Sequence, residues 1–186
     1  PNVLHWDILR LWAEIKAGIA KTVKDGTKLD SLGVDTWGVD FALLDNAGNL
    51  LANPTHYRDA RTDGMLDEAF ALMERNEIFA NTGIQFMQLN TLYQLLAMVK
   101  ADSPLFEIAE TFLTIPDLLN YWLSGKLTNE FTNATTTQCL DPLTREWSLP
   151  VLDAMGIPTH LFSPVTEPGT VLGTLQPQVA EETGAK

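Results

Sequence analysis

The chain has little cysteine, little histidine and no long apolar run. Cys139 is the single cysteine among 186 residues, which excludes an internal disulfide and predicts a reducing, cytoplasmic location. His5, His56 and His160 lack the spacing of metal ligands, and we expect them to be structural or at the surface. No stretch is long and apolar enough to span a membrane, and no signal peptide is visible.

Basic residues are also scarce, because 12 Lys and Arg against 24 Asp and Glu give a net charge of −12. This balance argues against a nucleic-acid partner, since neutralising phosphates requires clustered lysines and arginines. It also disfavours an anionic membrane surface. A glycine-rich phosphate cradle is missing too: Gly33 and Gly38 form no nucleotide fingerprint, and Gly125-Lys126 is followed by Leu127. A neutral small molecule remains compatible with this composition.

What is present is an ordinary globular composition, long enough for one good core. No internal repeat or composition shift marks a boundary, so we expect one domain. Periodicity and capping residues predict helices at residues 7–24, 62–75, 77–80, 90–101, 116–125, 148–156 and 178–183, with another opening at Ser103-Pro104. They predict strands at residues 31–35, 39–44, 50–53, 111–115 and 171–175. The mixture indicates an α/β protein.

Two apolar runs meet at a break within residues 31–45. The first run ends at Thr36-Trp37-Gly38 and the second continues from Val39 to Leu44. This pattern predicts a buried strand, a tight break and a second strand. Gly38 marks a point where the backbone turns or where another group approaches closely. Such interruptions are where α/β proteins bind ligands, although a plain hairpin with a glycine kink would show the same pattern.

Carboxylates flank this break and recur downstream. Asp35 and Asp40 lie on either side of it, and a buried carboxylate is costly unless it has a partner or a ligand. Further along, the segment Tyr57-Arg58-Asp59-Ala60-Arg61 places two arginines around an acid, directly after an aromatic ring. This segment is either an ion-paired surface loop or one wall of a binding cleft.

The segment Asp35–Phe41 closely resembles the sugar-side segment of the FGGY carbohydrate kinases, in particular that of their rhamnulokinase subgroup. The likeness extends along nearly the whole chain. Residues 131–138 resemble a Tyr-Thr-Asn-Ala-Thr-Thr-Thr-Gln run of the subgroup, and we favour a hydrogen-bonded turn there over direct sugar contact. Residues 84–93 resemble the first family signature more loosely, with Asn90 and Tyr93 near the usual lysine and tryptophan.

The resemblance implies a fold and an activity. FGGY kinases phosphorylate sugars and polyols with ATP and magnesium. Their two domains are of the ribonuclease-H-like, actin-like ATPase type, and the active site lies in the cleft between them. The fold expected here is therefore α/β, a fragment of the N-terminal domain with a mixed sheet and flanking helices.

The resemblance also implies site residues. Six are expected to bind the sugar: Thr36, Trp37, Gly38, Asp40, Tyr57 and Gln85. Three are expected to support them: Asp35, Asp59 and Arg61. Gly38 would let the backbone come close, Trp37 would pack on sugar carbons, and Asp40 would accept hydrogen bonds from hydroxyls. For Gln85, a solvated loop position is the alternative.

The family's Asp-Leu-Gly phosphate turn, catalytic aspartate and ATP-binding domain have no counterpart in residues 1–186. We therefore expect part of an N-terminal domain without its first strands, inactive alone and with no catalytic residue. The expected parent is a kinase that converts L-rhamnulose to L-rhamnulose 1-phosphate, with ATP and Mg²⁺ bound mainly elsewhere. The alternatives are a family kinase for L-fuculose, xylulose or another pentulose, and a non-catalytic sugar-binding or interaction module. Unpaired strand edges predict self-association of the fragment.

Overall fold

The computed structural model describes residues 3–185. The α-helices of this part are α1 (Ile8–Val23), α2 (Met65–Leu72), α3 (Arg75–Thr82), α4 (Thr91–Lys100), α5 (Ile115–Ser124), α6 (Phe131–Ala134), α7 (Leu149–Ala154) and α8 (Pro177–Thr183). Single 3₁₀ turns lie at Ala60–Thr62, Pro104–Glu107, Thr135–Thr137 and Thr159–Leu161. Among the described residues, no helix is long and apolar enough to cross a membrane.

Within residues 3–185, the strands form three two-stranded ladders. Their bounds are β1 (Phe41–Leu44), β2 (Thr111–Thr114), β3 (Asn129–Glu130), β4 (Leu140–Asp141), β5 (Glu146–Trp147) and β6 (Val165–Thr166). β1 pairs antiparallel with β2, with Phe41 opposite Thr114 and Leu44 opposite Thr111. β3 pairs parallel with β6, and β4 pairs antiparallel with β5.

The β1–β2 ladder lies between two apolar layers. Successive strand side chains point to opposite faces, so Phe41 and Leu43 enter the larger core with α4 and α7. Ala42 and Leu44 enter a second core with Ile8 of α1 and with α5. Both faces of β1 are therefore buried, which places its N-terminal end, at Asp40, inside the molecule.

Local signals produced several predicted elements. Asp7 caps α1 by accepting a 3.1 Å hydrogen bond from the backbone N–H of Arg10. Gly125 ends α5 with φ of 76°, a left-handed conformation that favours glycine. These predictions are confirmed, as are the strand at 111–115 and the helix at 178–183.

Two predicted strands are wrong. Residues 31–35 form no ladder, and the backbone of residues 27–37 makes no backbone hydrogen bond to any described residue. Val34 is half-buried against the second core, whereas Leu32 is 44% exposed, so this apolar run is largely exposed and has no pairing partner. Residues 171–175 are also unpaired, with Val171 88% exposed. The return strand at 50–53 shrinks to one bridge between Leu44 and Leu50.

Two predicted helices also differ. The helix expected at 62–75 begins only at Met65, because Gly64 adopts a left-handed conformation with φ of 78° that does not belong to a helix. It ends at Leu72, and after a break of two residues α3 runs from Arg75 to Thr82. The helix opening at Ser103-Pro104 is a single 3₁₀ turn.

Candidate functional site

The predicted break is a tight γ-turn centred on Val39. The backbone N–H of Asp40 donates a 3.0 Å hydrogen bond to the carbonyl oxygen of Gly38, and Val39 has φ of 69°. A β-branched residue rarely adopts this region, and such strain costs of the order of 1–3 kcal/mol. The sequence left two roles open for Gly38, a turn or a close approach, and the structure places the positive φ of the turn on Val39.

Gly38 is a point of close approach, which is the second of the two roles expected from the sequence. A Cβ atom built on Gly38 would lie 3.0 Å from Oγ1 and 3.3 Å from Cβ of Thr136. The same Thr136 hydroxyl accepts a 3.4 Å hydrogen bond from the backbone N–H of Val39. The hydroxyl-rich run at 131–138 therefore packs directly against the turn, as α6 and the 3₁₀ turn that follows it.

A polar cavity of about 270 Å³ opens beside this contact. One wall is the chain leading into the turn, and the other comes from α5, β3 and the hydroxyl-rich run. Its lining residues are Val34, Asp35, Thr36, Trp37, Gly38, Pro116, Asp117, Asn120, Glu130, Thr132, Asn133 and Thr136. Four residues predicted for the site, Asp35 to Gly38, thus line one cavity together.

Asp117 is the most perturbed acid in this cavity. It is 2% exposed, and burial raises its pKa to about 7, with the charge of Glu130 adding to the rise. Hydrogen bonds from the Thr114 hydroxyl at 2.5 Å and the Glu130 backbone N–H at 3.1 Å oppose that rise. A carboxyl with this pKa either donates or accepts near neutral pH. Sequence reasoning did not select Asp117 for the site.

Asp40 is the centre of a hydrogen-bond network next to the turn. It is fully buried, and its Oδ2 accepts from the indole N–H of Trp6 at 2.6 Å and of Trp37 at 3.0 Å. The backbone N–H of Tyr57 lies 3.3 Å from the same oxygen, and Nε2 of Gln94 lies 3.1 Å from Oδ1. These donors satisfy the buried charge. A direct bond from Asp40 to a sugar hydroxyl stays a prediction.

Aromatic rings form a row through the same network. Trp6 lies between Trp37 and His56, with ring centroids 4.2 and 4.3 Å away. His56 in turn lies 4.5 Å from the ring of Tyr57. All four are half-buried. Trp6 and His56 were not predicted for the site, and an indole directly before a helix cap was the available signal for Trp6.

The predicted supporting pair, Asp59 and Arg61, is organised differently from the expectation. Asp59 accepts from the backbone N–H groups of Leu4 at 2.8 Å and Arg61 at 2.9 Å. Burial alone would raise the pKa of Asp59, but these bonds, with nearby Arg61 and His5, lower it overall. The guanidinium of Arg61 donates to Oε1 of Gln94 at 2.7 Å. Asp59 is therefore held by backbone groups, because the arginine side chain turns toward Gln94.

Gln85 lies outside the cavity lining and its side chain is exposed. Its backbone carbonyl oxygen accepts a 3.0 Å bond from Nδ2 of Asn90. The sugar contacts proposed for Gln85 and Tyr57 stay predictions.

Among residues 3–185, no group of three or more His, Cys, Asp or Glu side chains is placed to hold a metal ion.

Two solved kinases share this fold. A gluconate kinase from Lactobacillus acidophilus superposes with a TM-score of 0.89 at 18% identity, over 98% of this chain and 37% of that one. A xylulose kinase from Rhodospirillum rubrum gives a TM-score of 0.85 at 20% identity, over 100% and 40% of the two chains. The architecture is thus that of an N-terminal region of sugar kinases, which confirms the expected fold class.

Sequence relatives identify the family. The chain is 43% identical over 183 residues to a rhamnulokinase from Oceanobacillus iheyensis, covering 98% of this chain and 39% of the relative. It is 42% identical over 168 residues to a rhamnulokinase from Yersinia pestis, covering 90% and 35%. Residues 1–186 match the FGGY family of carbohydrate kinases, N-terminal domain. The chain belongs to this family, and it spans well under half the length of these relatives.

Proposed function

We propose that this chain is the sugar-binding part of an ATP-dependent kinase that converts L-rhamnulose to L-rhamnulose 1-phosphate. The observation that carries the proposal is the cavity between the Trp37–Gly38 segment and the hydroxyl-rich run. Its polar lining suits a small polyhydroxylated molecule, and the two named relatives are both rhamnulokinases. The net charge of −12 is compatible with this neutral substrate.

In this proposal the chain binds and orients the ketose. Trp37 packs on the carbon skeleton, and Gly38 lets Thr136 of the opposite wall approach this segment closely. Thr36 and Asp117 offer a hydroxyl and a carboxyl to the sugar's own hydroxyls from opposite walls of the cavity. Tyr57 and Gln85 add outer contacts. Orientation matters because phosphoryl transfer depends chiefly on positioning and electrostatic stabilisation.

The co-substrate and its metal complete the proposal. ATP supplies the γ-phosphoryl group and Mg²⁺ balances its charge. We propose that both are bound by parts of the kinase beyond these 186 residues, together with the catalytic base. We also propose a cytoplasmic location and no nucleic-acid or membrane partner, on the basis of the single cysteine and the acidic composition.

The test is a substrate panel on the full-length protein. With ATP and Mg²⁺, L-rhamnulose is expected to give a higher kcat/KM than L-fuculose, xylulose or glycerol. A clear preference for xylulose would contradict L-rhamnulose as the substrate and would still support the kinase activity. Sugar binding by calorimetry without phosphorylation of any ketose would favour a non-catalytic sugar-binding module.

A further inference from the structure

Two buried side chains of α4 hold the strained turn. Thr91 Oγ1 donates a 2.6 Å hydrogen bond to the carbonyl oxygen of Val39, and Gln94 Nε2 lies 3.2 Å from the same oxygen. Both side chains are fully buried. A β-branched residue keeps a φ of 69° only where its surroundings over-determine the backbone, and such places are concentrated at functional sites.

Gln94 also links the turn to the Asp40 carboxylate. Its Nε2 lies 3.1 Å from Oδ1 of Asp40, while its Oε1 accepts a 2.7 Å bond from Nη2 of Arg61. A guanidinium only donates, so the amide oxygen of Gln94 must face Arg61. Its NH₂ group must then face Val39 and Asp40. The positive charge of Arg61 therefore fixes the amide orientation that the turn requires.

We propose that Thr91 and Gln94 are positioning residues for sugar binding. They set the turn at Val39 and the carboxylate of Asp40, and they thereby aim the Trp37–Gly38 segment at the cavity. The inference rests on the proposed function for the ligand, although the geometry stands without it. If Thr91 had only a general structural role, its loss would lower stability by an amount that does not depend on the conformation of Val39. A comparison of the same substitution in the parent and in a Val39→Gly background therefore separates the two roles.

A double-mutant cycle in the full-length protein tests the inference, using the ketose that it phosphorylates fastest. Thr91→Val removes the hydroxyl at nearly constant volume, and we expect the KM for the sugar to rise about tenfold. The KM for ATP should not change, and Thr91→Ser, which keeps the hydroxyl, should stay within about twofold of the parent. In a Val39→Gly background, where positive φ is unstrained, the effect of Thr91→Val should shrink.

Equal effects of Thr91→Val in both backgrounds would overturn the inference, as would a Thr91→Ser variant as impaired as Thr91→Val. Either result would show that the hydroxyl acts on the fold generally and not through the conformation of Val39.

An NMR readout separates this inference from the proposed function, because it needs no turnover. The indole N–H signals of Trp6 and Trp37, which both bond to Asp40, are expected to move in Gln94→Met. The signal of Trp147, whose partner lies elsewhere, should stay. If the first two signals move while no ketose is phosphorylated, Gln94 orients Asp40 and the two indoles as inferred, and the proposed function fails. Unmoved signals in a folded Gln94→Met variant would overturn the positioning role.

Discussion

The indole N–H of Trp6 donates a 2.6 Å hydrogen bond to the buried carboxylate of Asp40, across 34 positions of sequence. The segment that carries Trp6 is itself fixed, because its backbone N–H donates to the carbonyl oxygen of Pro54 at 2.9 Å. This bond joins the chain before α1 to the end of β1, where the strained turn lies. Trp6 thus supports both the aromatic row and the orientation of Trp37.

Trp6→Phe removes that donor and keeps an aromatic ring. A hydrogen bond to a buried charge is worth about 1.5–3 kcal/mol, so we expect a comparable loss in the free energy of unfolding. We also expect the KM for the sugar to rise about tenfold, since Trp37 loses part of its support. Trp12→Phe, the same change on α1 outside this network, is the control. Equal KM values for the two variants would restrict Trp6 to a structural role.

Much of the fold follows from local sequence, and α1 shows why. The Asp7 cap and the apolar face lie within the helix they define, so no distant residue is needed to predict it. Residues 31–35 show the limit, because a strand exists only where another chain segment supplies hydrogen bonds. Apolar composition alone does not show whether such a partner exists, since here only Val34 packs on a core and Leu32 is 44% exposed.

The site was harder to predict, because its key contacts join distant segments. The sequence located the break at residues 36–38, yet the strained residue is Val39, which glycine-based reasoning does not select. Its conformation is fixed by Thr91, Gln94 and Thr136, which lie 52, 55 and 97 positions away. Asp117 was missed for the same reason, since its raised pKa comes from tertiary burial.

Gly38→Ala tests the close approach at the cavity. The new Cβ would lie 3.0 Å from Oγ1 of Thr136, so either that side chain shifts or the turn moves away. Overpacking of this kind costs about 1–3 kcal/mol, and we expect weaker sugar binding by calorimetry on the full-length protein. Gly33→Ala is the matched control, because a Cβ atom at that position would have no neighbour within 4 Å. Sugar binding by Gly38→Ala equal to that by Gly33→Ala would show that this close contact does not shape the sugar site.

Asp117 predicts a pH dependence of stability. Its pKa rises from 3.8 to about 7 on folding because of burial, so the folded state binds a proton more tightly than the unfolded state. The resulting stabilisation is complete below pH 3.8 and is lost as the pH rises toward 7. Between these pH values the Asp117 carboxyl changes the free energy of unfolding by up to about 1.4 kcal/mol for each pH unit, and Asp117→Asn should abolish this slope.

Urea unfolding at several pH values measures this effect, with Asp153→Asn at an exposed position of α7 as the control. The expected result is a flatter stability profile for Asp117→Asn and an unaltered profile for Asp153→Asn. Parallel profiles for Asp117→Asn and the parent would show that Asp117 is ionised in the folded protein throughout this range.

The unpaired backbone of residues 27–37 predicts self-association of the 186-residue chain. Unpaired backbone N–H and C=O groups beside apolar side chains can pair with those of another copy, and Leu32 in this segment is 44% exposed. Light scattering should give a mass of at least twice 20.6 kDa at high concentration.

Leu32→Lys should return the chain toward 20.6 kDa, because an edge lysine opposes pairing. Leu143→Lys, at a position 87% exposed in the turn between β4 and β5, should leave the association unchanged. A mass of 20.6 kDa for the parent at every concentration would show that this edge does not pair with a second copy.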